Sequence, residues 1–191
     1  MHLCWPLASL PIWRARWIAA PDLAGLPNAC FRVRYHWVLD APRKVSFLHV
    51  AAESTYQLHV NGVMIGRGPV RGTKTRNFFD SYDVTTLLRT GENWIAVEVH
   101  SPNVPTFKVA PAQPGVLLQL DDGEIVASDE SWEAQISSEW RRDVRFFTFQ
   151  IGFLEWKDFE QEPMGWSYGG SDPTKWISAV VINESTRLGG K

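Results

Sequence analysis

A chain of 191 residues with 45% hydrophobic and 21% charged residues is about one domain long and can bury a full core. Its 21 acids and 19 bases leave a formal charge of −2, which excludes the basic surplus of a protein that grips nucleic-acid phosphates. No apolar run approaches the roughly 18–20 residues that cross a bilayer as a helix, so no membrane partner is expected.

The chain opens on an apolar stretch from Leu3 to Ile12 broken by Pro6 and Pro11, with no Lys or Arg before Arg14; this makes a poor secretory signal. Cys4 and Cys30 define neither a disulfide framework nor a metal-ligand spacing. The balance favours the cytoplasm without excluding secretion. In Cys30–Leu39, Phe31, Val33, Tyr35, Trp37 and Leu39 share one face while Arg32, Arg34 and His36 take the other, the period of a half-buried strand. Residues 44–51 predict a second strand. Thr55–Val60 alternates again and meets Asn61-Gly62, a two-residue hairpin signal, before Val63–Ile65.

A loop rich in Gly, Pro and Arg follows, with Arg67, Arg71, Lys74 and Arg76 as its cations. An apolar-aromatic piece (Phe78, Phe79, Tyr82, Val84) leads into Thr85–Leu88, which suggests one helical turn closed by Gly91. Asp83 is placed to cap it. Residues 91–100 predict a strand with Ile95, Val97 and Val99 on one face and Trp94, Glu98 and His100 on the other. After a Pro-rich loop come a hairpin (116–120 and 124–127) and strands over 131–136 and 144–154, the last rich in Phe. From Glu160 the texture changes to Gly, Pro, Ser and Trp, with a final apolar run over 176–182. About nine strands with no long helix predict an all-β, two-sheet antiparallel β-sandwich of jelly-roll type. Its expected bounds are roughly residues 15–182, between an N-terminal extension (1–14) and a polar, frayed tail (183–191).

Chemistry is sparse. No HxH, HExxH, nucleophile elbow or phosphate-cradling glycine loop is present, and His36, His59 and His100 read as surface or rim histidines. Glycoside hydrolysis needs two flanking carboxylates, and no pair can be given acid and base roles. The turn acids Asp121, Asp122 and Glu124 are turn formers, whereas Glu155 and Asp158 stand open beside Trp156 and Phe159 at a strand end. Ten Trp and ten Phe exceed ordinary core needs and suit flat apolar faces such as sugar rings.

The ordered motifs carry a resemblance. Trp17-Ile18, Phe31-Arg32, Tyr56 to Gly62 (Y-x-L-x-V-N-G), Gly66-Arg67-Gly68-Pro69, Phe79 to Thr85, Leu88 to Asn93 and Asp129 to Trp132 together resemble the N-terminal sandwich of bacterial α-L-rhamnosidases. The same sandwich is similar to the galactose-binding-like domain of β-galactosidase-type enzymes. The resemblance implies an accessory role: catalysis in that family belongs to a helical (α/α) barrel, nothing here is helical enough to form one, and no catalytic residue transfers. It implies a piece of a longer enzyme or a truncated product, whose partners are carbohydrate or the catalytic domain. Trp166, Ser171-Asp172 and Trp176 resemble the segment that precedes the next domain.

The alternative is an independent carbohydrate-binding module. Trp140, Trp156 or Trp166 would stack on sugar, Arg71 or Asp80 would bond hydroxyls, and Glu155 is a further contact candidate. No cofactor is expected. A structural Ca²⁺, as in many such modules, would draw on Asp80 and Asp121. A third reading, a pure interaction domain, predicts an exposed apolar patch, through which an isolated domain is open to homodimerisation.

Overall fold

The computed structural model describes residues 11–41, 43–70, 72, 77–107, 109, 112–121, 125–170 and 175–182. Strands are numbered in chain order. The first sheet runs Val180–Val181 (β14), Ile18–Ala19 (β1), Gly115–Asp121 (β8), Phe47–Glu53 (β3) and Asp80–Asp83 (β6), with Ile125–Ala127 (β9) paired to β8. The second runs Ile177–Ser178 (β13), Glu133–Ile136 (β10), Ala29–Leu39 (β2), Gly91–Ser101 (β7), Thr55–Val60 (β4) and Val63–Gly68 (β5). Every pairing among them is antiparallel. The expected all-β sandwich is the fold.

The core lies where the inner faces meet: Phe31, Val33, Leu58, Ile95, Val97 and Val99 from one sheet against Leu48, Val50, Val116, Leu118 and Leu120 from the other, all essentially inaccessible. Apolar burial of this kind is the main stabilising term. The predicted turn chemistry is present. Asn61 and Gly62 both take positive φ (50° and 82°), as a tight hairpin requires. Asn61 Oδ1 accepts from Trp94 N at 2.8 Å and its Nδ2 donates to Leu87 O, also at 2.8 Å, locking that turn to the neighbouring loop. Asp83 Oδ1 accepts from Thr85 N and Oγ1. Buried Asn93 accepts from Arg89 N and donates to the carbonyls of Arg89 and Gly91.

Three features go beyond or against what the sequence predicts. Residues 144–154 do not form one strand but a separate hairpin, Phe146–Thr148 (β11) with Gly152–Phe153 (β12), belonging to neither large sheet. Gly152, at φ 87°, takes a left-handed conformation that a continuous strand does not contain. The final apolar run also divides. Buried Ala179, donating to Trp132 O at 2.8 Å, carries the chain from β13 in the second sheet to β14 in the first. The third concerns the outer face of β2: Arg32 and Arg34 are fully buried because the irregular chain that follows β10 lies across that face. The outer face of the first sheet is covered too, by Trp13 and Trp17; Trp13 meets Phe79 edge-on at 5.3 Å.

Candidate functional site

β2 and β7 pair over their whole length, from Ala29 opposite Ser101 to Leu39 opposite Gly91. Alternation then sends Arg32, Arg34, Ala96, Glu98 and His100 outward. What covers them is aromatic. Trp166 and Trp176 cluster on Ala96, the Arg34 guanidinium sits 3.9 Å from the Trp176 ring centre, and that of Arg32 sits 4.4 Å from Trp166, geometries of favourable cation–π contact.

Beneath Trp166, Arg32 Nη2 meets Glu98 at 2.6 Å, Glu162 at 3.3 Å, and Glu139. The three carboxylates converge closely enough to hold a cation; the guanidinium supplies it. Lys157 donates to Glu162 at 2.8 Å from the far side. Burial pushes the Glu139 carboxyl up, and Arg32 opposes that shift. The arrangement clamps the covering segment to the sheet.

Beside the clamp opens a cleft of about 510 Å³. Its floor is sheet: Asn28 and Cys30 from the β2 end, Glu98 and His100 from β7. One wall is Gln57 of β4 with Arg67, Gly68 and Pro69; the other is Trp140, Arg141, Leu154, Glu155 and Trp156. Trp140 Nε1 donates to Glu98 at 3.2 Å, and His100 Nε2 bonds Asn28 Oδ1 at 2.8 Å. Arg141 lies 4.1 Å from the Trp156 ring centre and is held there by a two-point bond to Asp143 (3.0 and 2.7 Å). Burial, then Glu98 and Glu139, push the Cys30 thiol up, so it is no nucleophile.

Of the contact residues expected from sequence, Trp140, Glu155 and Trp156 line this one cleft. Trp166 does not. It is 9% exposed, packed between Arg32 and the edge of His59 (4.9 Å), which leaves no free face for a sugar. Asp80 lies outside the cleft and accepts from Tyr56 OH at 2.6 Å. Arg71 lies outside the described residues, as do Lys74, Arg76, Ser171 and Asp172. The calcium pair does not converge. Asp80 faces Val50 and Asp121 faces Phe47 from opposite sides of β3, and Asp121 bonds Gln119 Nε2 at 3.0 Å. Asp158 caps a short 3₁₀ turn, Phe159–Gln161, through Glu160 N at 3.1 Å. Arg32, Glu98 and Glu139 were not legible as a cluster, since Arg and Glu on alternate strand positions read as an ordinary wet face. The surplus of Trp was the signal that something covers it.

Of the histidines expected at the surface or rim, His36 is exposed and His59 and His100 are half-buried, as is His49. Burial lowers the pKa of His49, His59 and His100, with Asp121 opposing at His49 and Glu155 and Glu98 opposing at His100. At His59 the Gly62 backbone and Glu98 raise it, while Arg32 and Arg67 add to the lowering. Between the unfolded value of 6.5 and the lower folded values, the unfolded chain binds more protons, so stability falls as pH drops through that window. Glu139, raised, acts oppositely in its own range. Urea midpoints are expected to decline from about pH 7.5 to 5.5, and His59→Phe to flatten the decline; an unchanged slope would count against the assignment.

Comparison with known proteins gives a consistent outcome. Residues 42–104 match the family model of the alpha-L-rhamnosidase N-terminal domain. The GH78 family rhamnosidase of Bacillus sp. GL1 is 30% identical with a TM-score of 0.83, over 92% of this chain and 20% of its own. The alpha-L-rhamnosidase of Dictyoglomus thermophilum is 22% identical (TM-score 0.72), over 93% of this chain and 22% of its own. A Pleurotus ostreatus lectin shares the fold at 22% identity and TM-score 0.58, over 91% of this chain and 43% of its own. The chain thus spans about a fifth of the length of the rhamnosidases it matches. No curated protein sequence matches it.

Proposed function

We propose that this chain, whose residues 42–104 match the family model of the α-L-rhamnosidase N-terminal domain, is a non-catalytic accessory domain of an α-L-rhamnosidase-like glycoside hydrolase, packed against a catalytic (α/α) barrel and shaping the rim of its substrate cleft. The observation that carries this reading is the match over nearly the whole chain to one fifth of a rhamnosidase. Two features support it. The hairpin of β11 and β12 exposes Phe146, Phe147, Phe149 and Ile151, and Phe107, whose backbone N donates to Phe149 O, adds a fifth large apolar side chain. An exposed apolar patch of this kind marks a surface that another domain covers. In the cleft, Glu98 is held by Arg32 and by Trp140, so it cannot partner Glu155 as a free acid or base of the glycosidase kind.

An aryl α-L-rhamnoside incubated with this chain alone is expected to give no product above background. Saturable release that disappears in Glu155→Gln would establish an active site within the domain and defeat the proposal.

A second reading, a carbohydrate-binding module, is favoured by the convergence of Trp140, Glu155 and Trp156 in one cleft; the shared fold with a lectin is compatible with it. A shallow stacking site binds weakly, so Trp fluorescence is expected to shift only at millimolar rhamnose-containing glycans. No shift leaves the scaffold role alone.

A further inference from the structure

The cleft has a neighbour. A second hollow of about 480 Å³ is lined by Ser138, Lys157, Asp158, Phe159 and Gln161, and it shares Arg141 and Trp156 with the first. Each lies within the roughly 300–1,000 Å³ usual for small-ligand sites. At the shared wall Asp143 orients the guanidinium that lies against Trp156. Trp156 and Phe159 are both largely exposed, one at the shared wall and one in the second hollow. A long groove with aromatic side chains spaced along it offers a flat apolar surface to each successive ring of a ligand.

Charge narrows the ligand. In the second hollow, which Glu139 also lines, Glu139 is held by Arg32, Lys157 is neutralised by Glu162, and Asp158 is engaged by Glu160 N and Gln161 Nε2. In the first, Arg141 is paired with Asp143 and Glu98 with Arg32. Among the described residues the side chains of Gln57, Arg67 and Glu155 make no hydrogen bond or ion pair, yet all three line the first hollow. The two charges among them cancel. What remains is a planar donor, a planar acceptor and an amide, which suit adjacent hydroxyls and give a carboxylate or phosphate no net attraction.

We propose that the two hollows form one groove for two consecutive neutral pyranose units of a glycan, divided at the Trp156–Arg141 wall. The inference rests on the carbohydrate-binding reading and adds ligand length, charge and position to it.

The test is calorimetric titration of the chain with neutral monosaccharides (L-rhamnose, D-galactose), neutral disaccharides (rutinose, lactose, cellobiose) and D-galacturonic acid. A disaccharide is expected to bind about tenfold more tightly than its component sugars, with no advantage for galacturonic acid. Trp156→Ala, at a half-exposed position that folding tolerates, is expected to remove binding of both. Phe159→Ala is expected to reduce disaccharide affinity to the monosaccharide level and to leave the monosaccharide unaffected. Equal affinities for one and two units, binding indifferent to Trp156→Ala, or preference for the acid would overturn the groove while sugar binding stands. No binding of any of these sugars would remove the carbohydrate reading together with the groove.

Discussion

Arg32→Ala is expected to cost about 3–5 kcal/mol of folding stability, read as a lower urea midpoint at unchanged slope. The magnitude follows from what is left behind. Glu98 and Glu139 are 7% and 1% exposed, and both lean on this one guanidinium; without it two carboxylates sit together away from water. The contact with Trp166 goes as well, worth about 0.5–2 kcal/mol. Arg32→Lys recovers little, since a compact ammonium cannot match the reach or planarity of the fork. Acidification gives a second signature. Arg32 is the main influence lowering the Glu139 pKa against its burial, so removing it sends that carboxyl higher. A native state that takes up a proton above the unfolded carboxyl value gains stability as pH falls through that interval. The deficit of Arg32→Ala relative to wild type is therefore expected to shrink between about pH 7 and 5. A loss below about 1 kcal/mol at neutral pH, in the range of exposed pairs, would mean the clamp is not structural.

The same cluster shows where sequence reasoning reaches its limit. Strand alternation depends only on local geometry, so Phe31, Val33, Ile95 and Val97 announce the inner face of the second sheet without knowledge of anything else. Asn61-Gly62 announces its hairpin for the same reason: the φ angles are a property of two residues. Whether Arg32 and Glu98 meet water is decided by the irregular segment after β10, which has no periodicity to read. That segment buries Trp166 and leaves Trp156 more than half exposed, and no periodicity around either tryptophan announces which is covered. The misread of residues 144–154 has a related cause. A Phe-rich run looks like a core strand, yet here its apolar side chains face outward on a free-standing hairpin. Composition reports that an apolar surface must be covered, and not whether its own chain or another covers it. Of the four contact candidates that follow Ser137, where the chain turns back over the sheet, the cleft unites three, Trp140, Glu155 and Trp156.

Trp132→Ala is expected to be about as damaging as Arg32→Ala, at about 3–5 kcal/mol, for a different physical reason. Trp132 is 1% exposed and stacks on Tyr35 at 5.2 Å and 21°. Its Nε1 donates to Ala127 O at 3.0 Å in β9 of the first sheet. Its own carbonyl accepts from Ala179, the residue at which the chain passes from β13 to β14. One side chain therefore fills the core where two sheets and a crossover meet, and those two closing strands are only two residues each, too short to hold by ladder bonds alone. Trp132→Phe separates the contributions. It keeps a ring in the core but leaves the Ala127 carbonyl unpaired, for which about 1–3 kcal/mol is expected. In the alanine variant the crossover loses the packing beneath it, so trypsin is expected to cut after exposed Lys175 well before global unfolding, and in the phenylalanine variant much later. Equal losses for the two variants would mean that the indole hydrogen bond, and not the volume of the ring, secures the junction.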